Sequence, residues 1–187
     1  MGFTREQLAA FAGKTVDDLL GPHVRLLFVG INPGLWTAAT NTHFCHPSNR
    51  FYPALRRAGL IDWTIDRAAG MSPEEKERLE RRGIGITNLV RRATMRASEL
   101  GASELREGAG QLRIVVAEVK PRVVAVAGLT AYRTAFERPL AVLGMQPETL
   151  GGAQLWVVPN PSGLNAHETI DSLGQWYHRV GEAAGLI

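Results

Sequence analysis

The sequence predicts an α/β protein: a three-layer α/β/α sandwich around a short, mainly parallel sheet of about four strands. Two observations support this class. Short apolar runs alternate with stretches of helical spacing, and each run stops at Gly, Pro or Asn. Strands that alternate with helices form parallel sheets through right-handed crossovers, with helices on both faces. The predicted strands are residues 25–29, 84–87, 123–127 and 155–158.

The helices are predicted from capping signals and apolar periodicity. Thr4 and Gln7 have the spacing of a capping box, as do Ser72 and Glu75, with Pro73 at the first helical position. Helical patterns cover residues 4–13, 50–59, 72–82, 129–136 and 167–183. The long segment between the first strand and the helix at residue 50 is predicted to be a functional loop.

Size and composition favour one domain. The chain has 187 residues, 45% of them hydrophobic, and no linker or repeat divides it. We therefore predict a single domain over residues 1–187, with residues 1–20 as an N-terminal helical extension. No apolar run approaches the roughly 20 residues of a membrane span. A soluble, cytoplasmic monomer with no membrane partner is expected.

The net charge and the cysteine content limit which partners and which metal centres are possible. The net charge of +3 and the pI of about 9.4 are compatible with a polyanionic partner, although an arginine-rich composition can equally reflect genomic base composition. The only cysteine is Cys45, so one chain can form neither an internal disulfide nor a multi-cysteine zinc or iron–sulfur site.

Two asparagine-bearing loops predict a ligand site. Residues 30–34 (GINPG) follow the first strand, and residues 159–165 (PNPSGLN) follow the last. Asn88 stands where the strand at 84–87 ends. Loops at the carboxyl ends of parallel strands converge on the ligand crevice of an open α/β sheet, so Asn32, Asn88 and Asn160 should lie on one side of the sheet.

Three motifs together resemble the mismatch-specific uracil/thymine-DNA glycosylases. They are GINPG at 30–34, HPSNRF at 46–51 and NPSGL at 160–164, in the family's order and spacing. The resemblance implies the compact α/β/α sandwich of the uracil-DNA glycosylase superfamily. It also implies a monofunctional DNA glycosylase that initiates base excision repair without a cofactor. The expected substrate is uracil in double-stranded DNA, preferably in G:U mismatches, with thymine or ethenocytosine as further candidates.

The resemblance assigns roles within the base pocket. Asn32 matches the asparagine that positions the attacking water, and Phe44 matches the aromatic on which the extruded base stacks. Asn160 corresponds to the residue that reaches the base carbonyl. Backbone groups of Ile31 and around Phe44 would bind the base edge. Read alone, Asn32 could merely bond to backbone in a Pro-Gly turn, Phe44 could be a core residue, and Asn160 could form an Asx-turn.

Two pocket positions differ from the familiar bacterial pattern. Asn88 resembles the pocket asparagine of eukaryotic thymine-DNA glycosylases, whereas the bacterial enzymes often place Lys there. Thr37 stands where bacterial members carry Ser near the pyrimidine 5-substituent, and its extra methyl group could crowd that side of the pocket.

The segment Ser162, Gly163, Leu164 and Asn165 is predicted to bind DNA. Leu164 fits the wedge that fills the space left by a flipped nucleotide, because an apolar side chain in a Gly-containing loop can enter a base stack. The alternative is ordinary burial of Leu164 beneath the following helix. Bacterial relatives have Ser-Arg after this Leu, where this chain has Asn165 and Ala166.

Other chemistries fit the sequence less well. His43, Cys45 and His46 lack a matching distant ligand pair, so no metal site is predicted. Ser162 lies outside a G-x-S-x-G elbow, which disfavours a serine hydrolase. A nucleoside or nucleotide hydrolase should show an acidic metal cluster or a phosphate-binding loop, and neither is apparent in the sequence. A non-catalytic protein of the same fold that binds damaged DNA or abasic sites is the remaining alternative.

Overall fold

A computed structural model describes residues 2–187 and shows five strands in one mixed sheet. The spatial order is β2-β1-β3-β5-β4; neighbouring strands are parallel except β4, which is antiparallel to β5. The strands are β1 (Leu26–Gly30), β2 (Ile84–Asn88), β3 (Val123–Ala127), β4 (Gly144–Leu150) and β5 (Ala153–Val158). The predicted α/β/α class is confirmed. The predicted count of about four strands omitted β4.

Seven α-helices and one 3₁₀ turn (Ala97–Glu99) accompany the sheet within residues 2–187. Both predicted capping boxes form, at Thr4 and at Ser72. The segment after β1, predicted to be a loop, contains a short helix, α2. The helices are α1 (Arg5–Ala9), α2 (Leu35–Thr40), α3 (Phe51–Arg57), α4 (Pro73–Arg81), α5 (Ala102–Val119), α6 (Leu129–Ala135) and α7 (Ile170–Ala184).

Two hydrophobic cores flank the sheet because alternate residues of each strand point to opposite faces. Leu26 and Phe28 of β1 pack with side chains of α3, α4 and α7 on one face. Leu27 and Val29 pack with side chains of α5 and α6 on the other. Every residue of β1 and β3 is buried, as expected for central strands of a doubly covered sheet.

The N-terminal segment lies against this sandwich. Phe3 packs edge-to-face on Trp36 of α2, at 5.1 Å between ring centroids. Leu19 forms an antiparallel bridge with Ile86 of β2 and joins the buried core. Within residues 2–187, no helix is long and apolar enough to cross a membrane.

The strand order places a switch point between β1 and β3. The chain leaves β1 toward β2 on one side, and β3 continues toward β5 on the other. Loops that diverge in this way open a crevice outside the carboxyl ends of the two strands. The register pairs Gly30 with Asn88, so the ends of β1 and β2 lie side by side at this crevice.

Candidate active site

Asn32 lies just beyond the end of β1, with its side-chain amide held by three acceptors. Its Nδ2 donates to Thr94 Oγ1 at 2.7 Å, to the Arg92 carbonyl at 3.0 Å and to the Pro33 carbonyl at 3.1 Å. An amide nitrogen has only donors and an amide oxygen only accepts, so these partners define which end faces them. Among residues 2–187, no group donates to Asn32 Oδ1, which leaves that oxygen available as an acceptor.

Thr94, which no sequence motif identifies, orients this amide. Its side chain is buried, and its hydroxyl donates to the Arg96 carbonyl at 2.9 Å. The hydroxyl therefore has lone pairs left to accept from Asn32. The Thr94 N–H also donates to the Pro33 carbonyl at 3.1 Å. The segment after β2 is thus attached to the segment after β1 at the position of the candidate catalytic asparagine.

The neighbouring arginine stabilises the same segment. The Arg92 side chain pairs with Glu104 of α5, with nitrogen–oxygen distances of 2.6 and 2.9 Å. The hydrogen bond from Arg92, followed by one from the Gly101 backbone, lowers the pKa of Glu104 to about 2. The pair is partly exposed, so it contributes modestly to stability, but it anchors the residue whose carbonyl receives Asn32.

Asn88 ends β2 and bonds to a buried histidine. Its Nδ2 lies 2.9 Å from His43 Nδ1, and His43 Nε2 lies 2.8 Å from the Asp17 carbonyl. A Cβ added to Gly30 would collide with Asn88 Oδ1 and would come within 3.2 Å of the Phe44 ring. Glycine at position 30 is therefore required for Asn88 and Phe44 to approach the end of β1 together.

Phe44 is half-buried and stacks on Phe51, with 4.0 Å between ring centroids and 20° between planes. Its backbone has φ of 54°, an uncommon left-handed conformation for a non-glycine residue. Because fully buried Phe51 covers one face, a flat ligand can stack only on the other. Phe44 therefore borders both the core and the crevice.

Asn160, two residues beyond β5, forms an Asx-turn, as the alternative interpretation of this residue predicts. Its Oδ1 accepts from the Ser162 N–H at 2.9 Å. The turn leaves the Nδ2 group without an acceptor among residues 2–187, so this end of the side chain can donate to a ligand. A Cβ on Gly128, which follows β3, would lie 3.1 Å from the Ile31 side chain and 4.0 Å from Asn160 Cβ. Gly128 thereby allows Ile31 and Asn160 to converge across the switch point.

The rim loop, residues 161–165, carries the predicted wedge. Leu164 is 91% exposed, so it is not buried beneath α7. Arg50, the N-cap residue of α3, donates from Nη1 to the carbonyls of Ser162 at 3.2 Å and Asn165 at 2.8 Å. A Cβ at Gly163 would collide with Ser48, which explains the glycine by close approach.

Asn165 supports the rim loop with both ends of its side chain. Its Nδ2 donates to the Asn160 carbonyl at 3.0 Å, and its Oδ1 accepts from the His167 N–H at 3.2 Å. Its backbone N–H donates to the Ser162 carbonyl at 3.0 Å. These bonds give Asn165 a role within the loop, in addition to the predicted role in DNA binding.

Thr37 is also predicted to line the base pocket. It is buried in α2, and its hydroxyl lies 3.4 Å from the Cys45 carbonyl. His46, one of the residues considered as a metal ligand, bonds through Nδ1 to the Ser48 hydroxyl at 2.8 Å. Within residues 2–187, no three His, Cys, Asp or Glu side chains are grouped closely enough to hold a metal ion.

The sheet order, together with asparagines at or just beyond the ends of β1, β2 and β5, defines an α/β/α protein with a candidate site at the carboxyl edge of its parallel strands. A family model for the uracil DNA glycosylase superfamily matches residues 18–179. The chain therefore belongs to this superfamily, whose members are DNA glycosylases. The match includes every predicted site residue and excludes only the two ends of the chain.

A solved structure shares the fold. The NMR structure of a Methanosarcina acetivorans protein, provisionally assigned as a uracil DNA glycosylase, superposes with a TM-score of 0.58 at 18% identity. The alignment covers 90% of this chain and 98% of that one. At this identity the similarity establishes the fold, and the substrate must be argued from the site.

Proposed function

We propose that the protein is a monofunctional, mismatch-specific DNA glycosylase that hydrolyses the N-glycosidic bond of uracil in DNA, preferably in G:U mismatches. Thymine and ethenocytosine are further candidate bases. The proposal includes a single domain over residues 1–187 that acts as a monomer on double-stranded DNA in the cytoplasm. Excision of the base would initiate base excision repair.

The orientation of Asn32 is the observation that carries this proposal. With Nδ2 bound to Thr94 and two carbonyls, Oδ1 is free to accept a hydrogen bond from water. A water so positioned can attack the anomeric carbon as the base departs. An amide does not take up a proton as a carboxylate does, so the reaction should depend on the quality of the leaving group. Slow turnover on uracil is expected.

The remaining pocket residues fit stabilisation of the departing base. Asn160 Nδ2 can donate to a pyrimidine carbonyl, where negative charge grows in the transition state. The open face of Phe44 can stack on the extruded base, which contributes roughly 1–3 kcal/mol. Ile31 and Thr37 would complete the wall of the pocket, with Asn88 at the base edge.

The rim loop suits insertion into the duplex. Exposed Leu164 could fill the vacated stack, while Ser162, Gly163 and Asn165 contact the DNA around it. Because flipping costs less at a mismatched pair than at a matched one, a wedge of this kind favours G:U over A:U.

Single-turnover excision from four oligonucleotides tests the function. Uracil should be released from G:U duplex and single-stranded DNA, more slowly from A:U, and G:T measures tolerance of thymine. Binding to these substrates without release of any base would instead indicate the non-catalytic alternative. Product analysis after alkali treatment and without it distinguishes monofunctional hydrolysis from strand cleavage by the protein itself.

A further inference from the structure

The specificity of the pocket depends on which end of the Asn88 amide faces the base. An amide presents a hydrogen-bond donor at Nδ2 and an acceptor at Oδ1, and a rotation of 180° exchanges them. A pocket that offers Nδ2 would bind a base with an acceptor at its edge. A pocket that offers Oδ1 would bind a base with a donor there. Something other than Asn88 must therefore decide between the two.

The two ring nitrogens of His43 determine the orientation of the Asn88 amide. The Asp17 carbonyl, 2.8 Å from Nε2, can only accept, so Nε2 must carry a proton. Burial lowers the pKa of His43 below its ordinary value, and nearby Lys76 and Arg91 act in the same direction, while the Asp17 hydrogen bond and Asp18 oppose them. The lowered pKa favours the neutral ring, and with the proton on Nε2 the other nitrogen, Nδ1, is an acceptor.

The tautomer of His43 orients Asn88. A neutral Nδ1 without a proton accepts from Asn88 Nδ2 at 2.9 Å, and the opposite amide orientation would set two acceptors against each other. Asn88 Oδ1 is then the end that has no hydrogen-bond donor among residues 2–187. It lies beside Gly30, against which the Phe44 ring also packs. A base stacked on the open face of Phe44 would therefore have its edge next to an acceptor oxygen.

We propose that His43 is a specificity-determining positioning residue: it holds Asn88 so that the pocket presents an acceptor and selects pyrimidines that carry a hydrogen on N3. This inference rests on the proposed glycosylase function. Uracil and thymine have N3–H and satisfy Asn88 Oδ1. Cytosine has a lone pair on N3, and ethenocytosine has its N3 closed into a second ring without hydrogen. Both should be disfavoured, which narrows the proposed substrate range.

Binding to uncleavable duplexes measures this selectivity without the chemistry of the leaving group. The probes are 2′-fluoroarabino-uridine and 2′-fluoroarabino-cytidine, each opposite an abasic-site analogue so that neither base is paired. An unsatisfied acceptor pair costs roughly 1–3 kcal/mol, so the full-length protein should bind the uracil probe about ten- to a hundredfold more tightly. In His43→Leu this ratio should fall to within about threefold.

A rescue variant separates orientation of Asn88 from support of the fold. In the double variant His43→Leu/Asn88→Asp, the carboxylate presents an acceptor whichever way it turns, so the preference should return. A structural defect caused by leucine would not be repaired by aspartate at position 88.

The outcomes distinguish this inference from the proposed function. A wild-type protein that releases no uracil from any substrate overturns the proposed function. Wild-type excision together with an unchanged binding ratio in His43→Leu overturns the role of His43. If His43→Leu loses the ratio and the aspartate variant does not restore it, His43 acts on the pocket by another route, and the inference is wrong.

Discussion

The floor of the site, formed by Asn32 and Asn88, and the rim loop, residues 161–165, are held in place by different kinds of contact. On the floor, Asn32 and Asn88 each have the amide nitrogen bound to buried partners, Thr94 and His43, so their oxygens point in defined directions. On the rim, Leu164 is 91% exposed, and its loop is attached through backbone carbonyls. The orientation of the polar groups is therefore set by the fold, while the apolar side chain has few contacts.

This contrast fits the separate demands of chemistry and binding. Groups that act on a transition state must be oriented before the substrate arrives, because reorganisation during reaction raises the barrier. A side chain that enters a base stack must leave its solvent-exposed position and adapt to the DNA. Substitutions on the floor should therefore alter the rate of the chemical step, and substitutions on the rim should alter the dependence on duplex structure.

The largest effect is expected from Asn32→Ala. Loss of Oδ1 removes the group proposed to position water, so single-turnover excision of uracil should fall about a hundredfold or more. Affinity for G:U duplex should stay within about tenfold, since water positioning acts mainly in the transition state. Single-turnover rates and duplex titrations at one salt concentration provide the comparison. Equal losses of affinity and rate would show that Asn32 has no specific part in the chemical step.

Leu164→Ala tests whether the rim loop inserts this side chain into the duplex. If Leu164 fills the vacated stack, excision from G:U duplex should fall about tenfold, whereas excision from single-stranded uracil DNA should change little, because little stacking is broken there. The duplex-to-single-strand rate ratio is the measurement. A:U excision, where measurable, should fall further than G:U excision because a matched pair costs more to open.

A matched control for Leu164 is Ile114→Ala on α5, which removes another exposed aliphatic side chain. This control should leave the rate ratio unchanged. A uniform fall of the Leu164→Ala rate on all three substrates would assign Leu164 to support of the pocket, and the wedge role would then be abandoned.

The fold was largely predictable because β1 and β3 are short, fully buried apolar runs, and glycine stands at the end of β1 and directly after β3. Strand β4 and helix α5 were not predicted from the sequence, and each omission has a physical cause. Edge strand β4 alternates buried and exposed residues, contains Pro147 and lacks an apolar run. Helix α5 has its buried face formed partly by Gly108 and Ala109, which give a weak apolar periodicity. Gly108 packs against the Leu89 backbone, a tertiary contact that local sequence does not encode.

A local motif surrounds each candidate site residue that the sequence identifies, whereas the partners that orient these residues are distant in sequence. Asn32 and Asn160 stand in Pro- and Gly-containing loops after buried strands. Thr94 lies 62 residues from Asn32, and His43 lies 45 residues from Asn88. Neither partner has a local signature, so their roles follow from sheet register and from which atom of each amide they face.

A smaller effect on the rate is expected from Thr94, whose substitution tests how the Asn32 amide is oriented. Thr94→Val keeps the shape of the side chain but removes the hydroxyl that accepts from Asn32 Nδ2, whereas Thr94→Ser retains it. One neutral hydrogen bond is worth about 1 kcal/mol, so excision should fall about five- to tenfold in the valine variant and by less than about twofold in the serine variant. Both rates are measured on single-stranded uracil DNA, where the rim contributes little. Similar rates for valine and serine would show that the two carbonyl acceptors suffice to orient Asn32.

The smallest effect should come from Arg50, which connects α3 to the rim loop. Arg50→Met keeps the aliphatic stem and removes the donors to the Ser162 and Asn165 carbonyls, so the loop should become more mobile before DNA binds. Because the loop must be ordered again on the duplex, G:U excision should fall about threefold, with single-stranded excision unchanged.

Arg56→Met is the matched control. It removes the same charge from the same helix without touching the loop, and it corrects for the loss of one positive charge near a polyanion. If the two methionine variants lose duplex activity equally at low salt and recover equally as salt is raised, charge alone accounts for the effect. A loss confined to Arg50→Met and insensitive to salt would show that the position of Leu164 depends on the carbonyl contacts of this arginine.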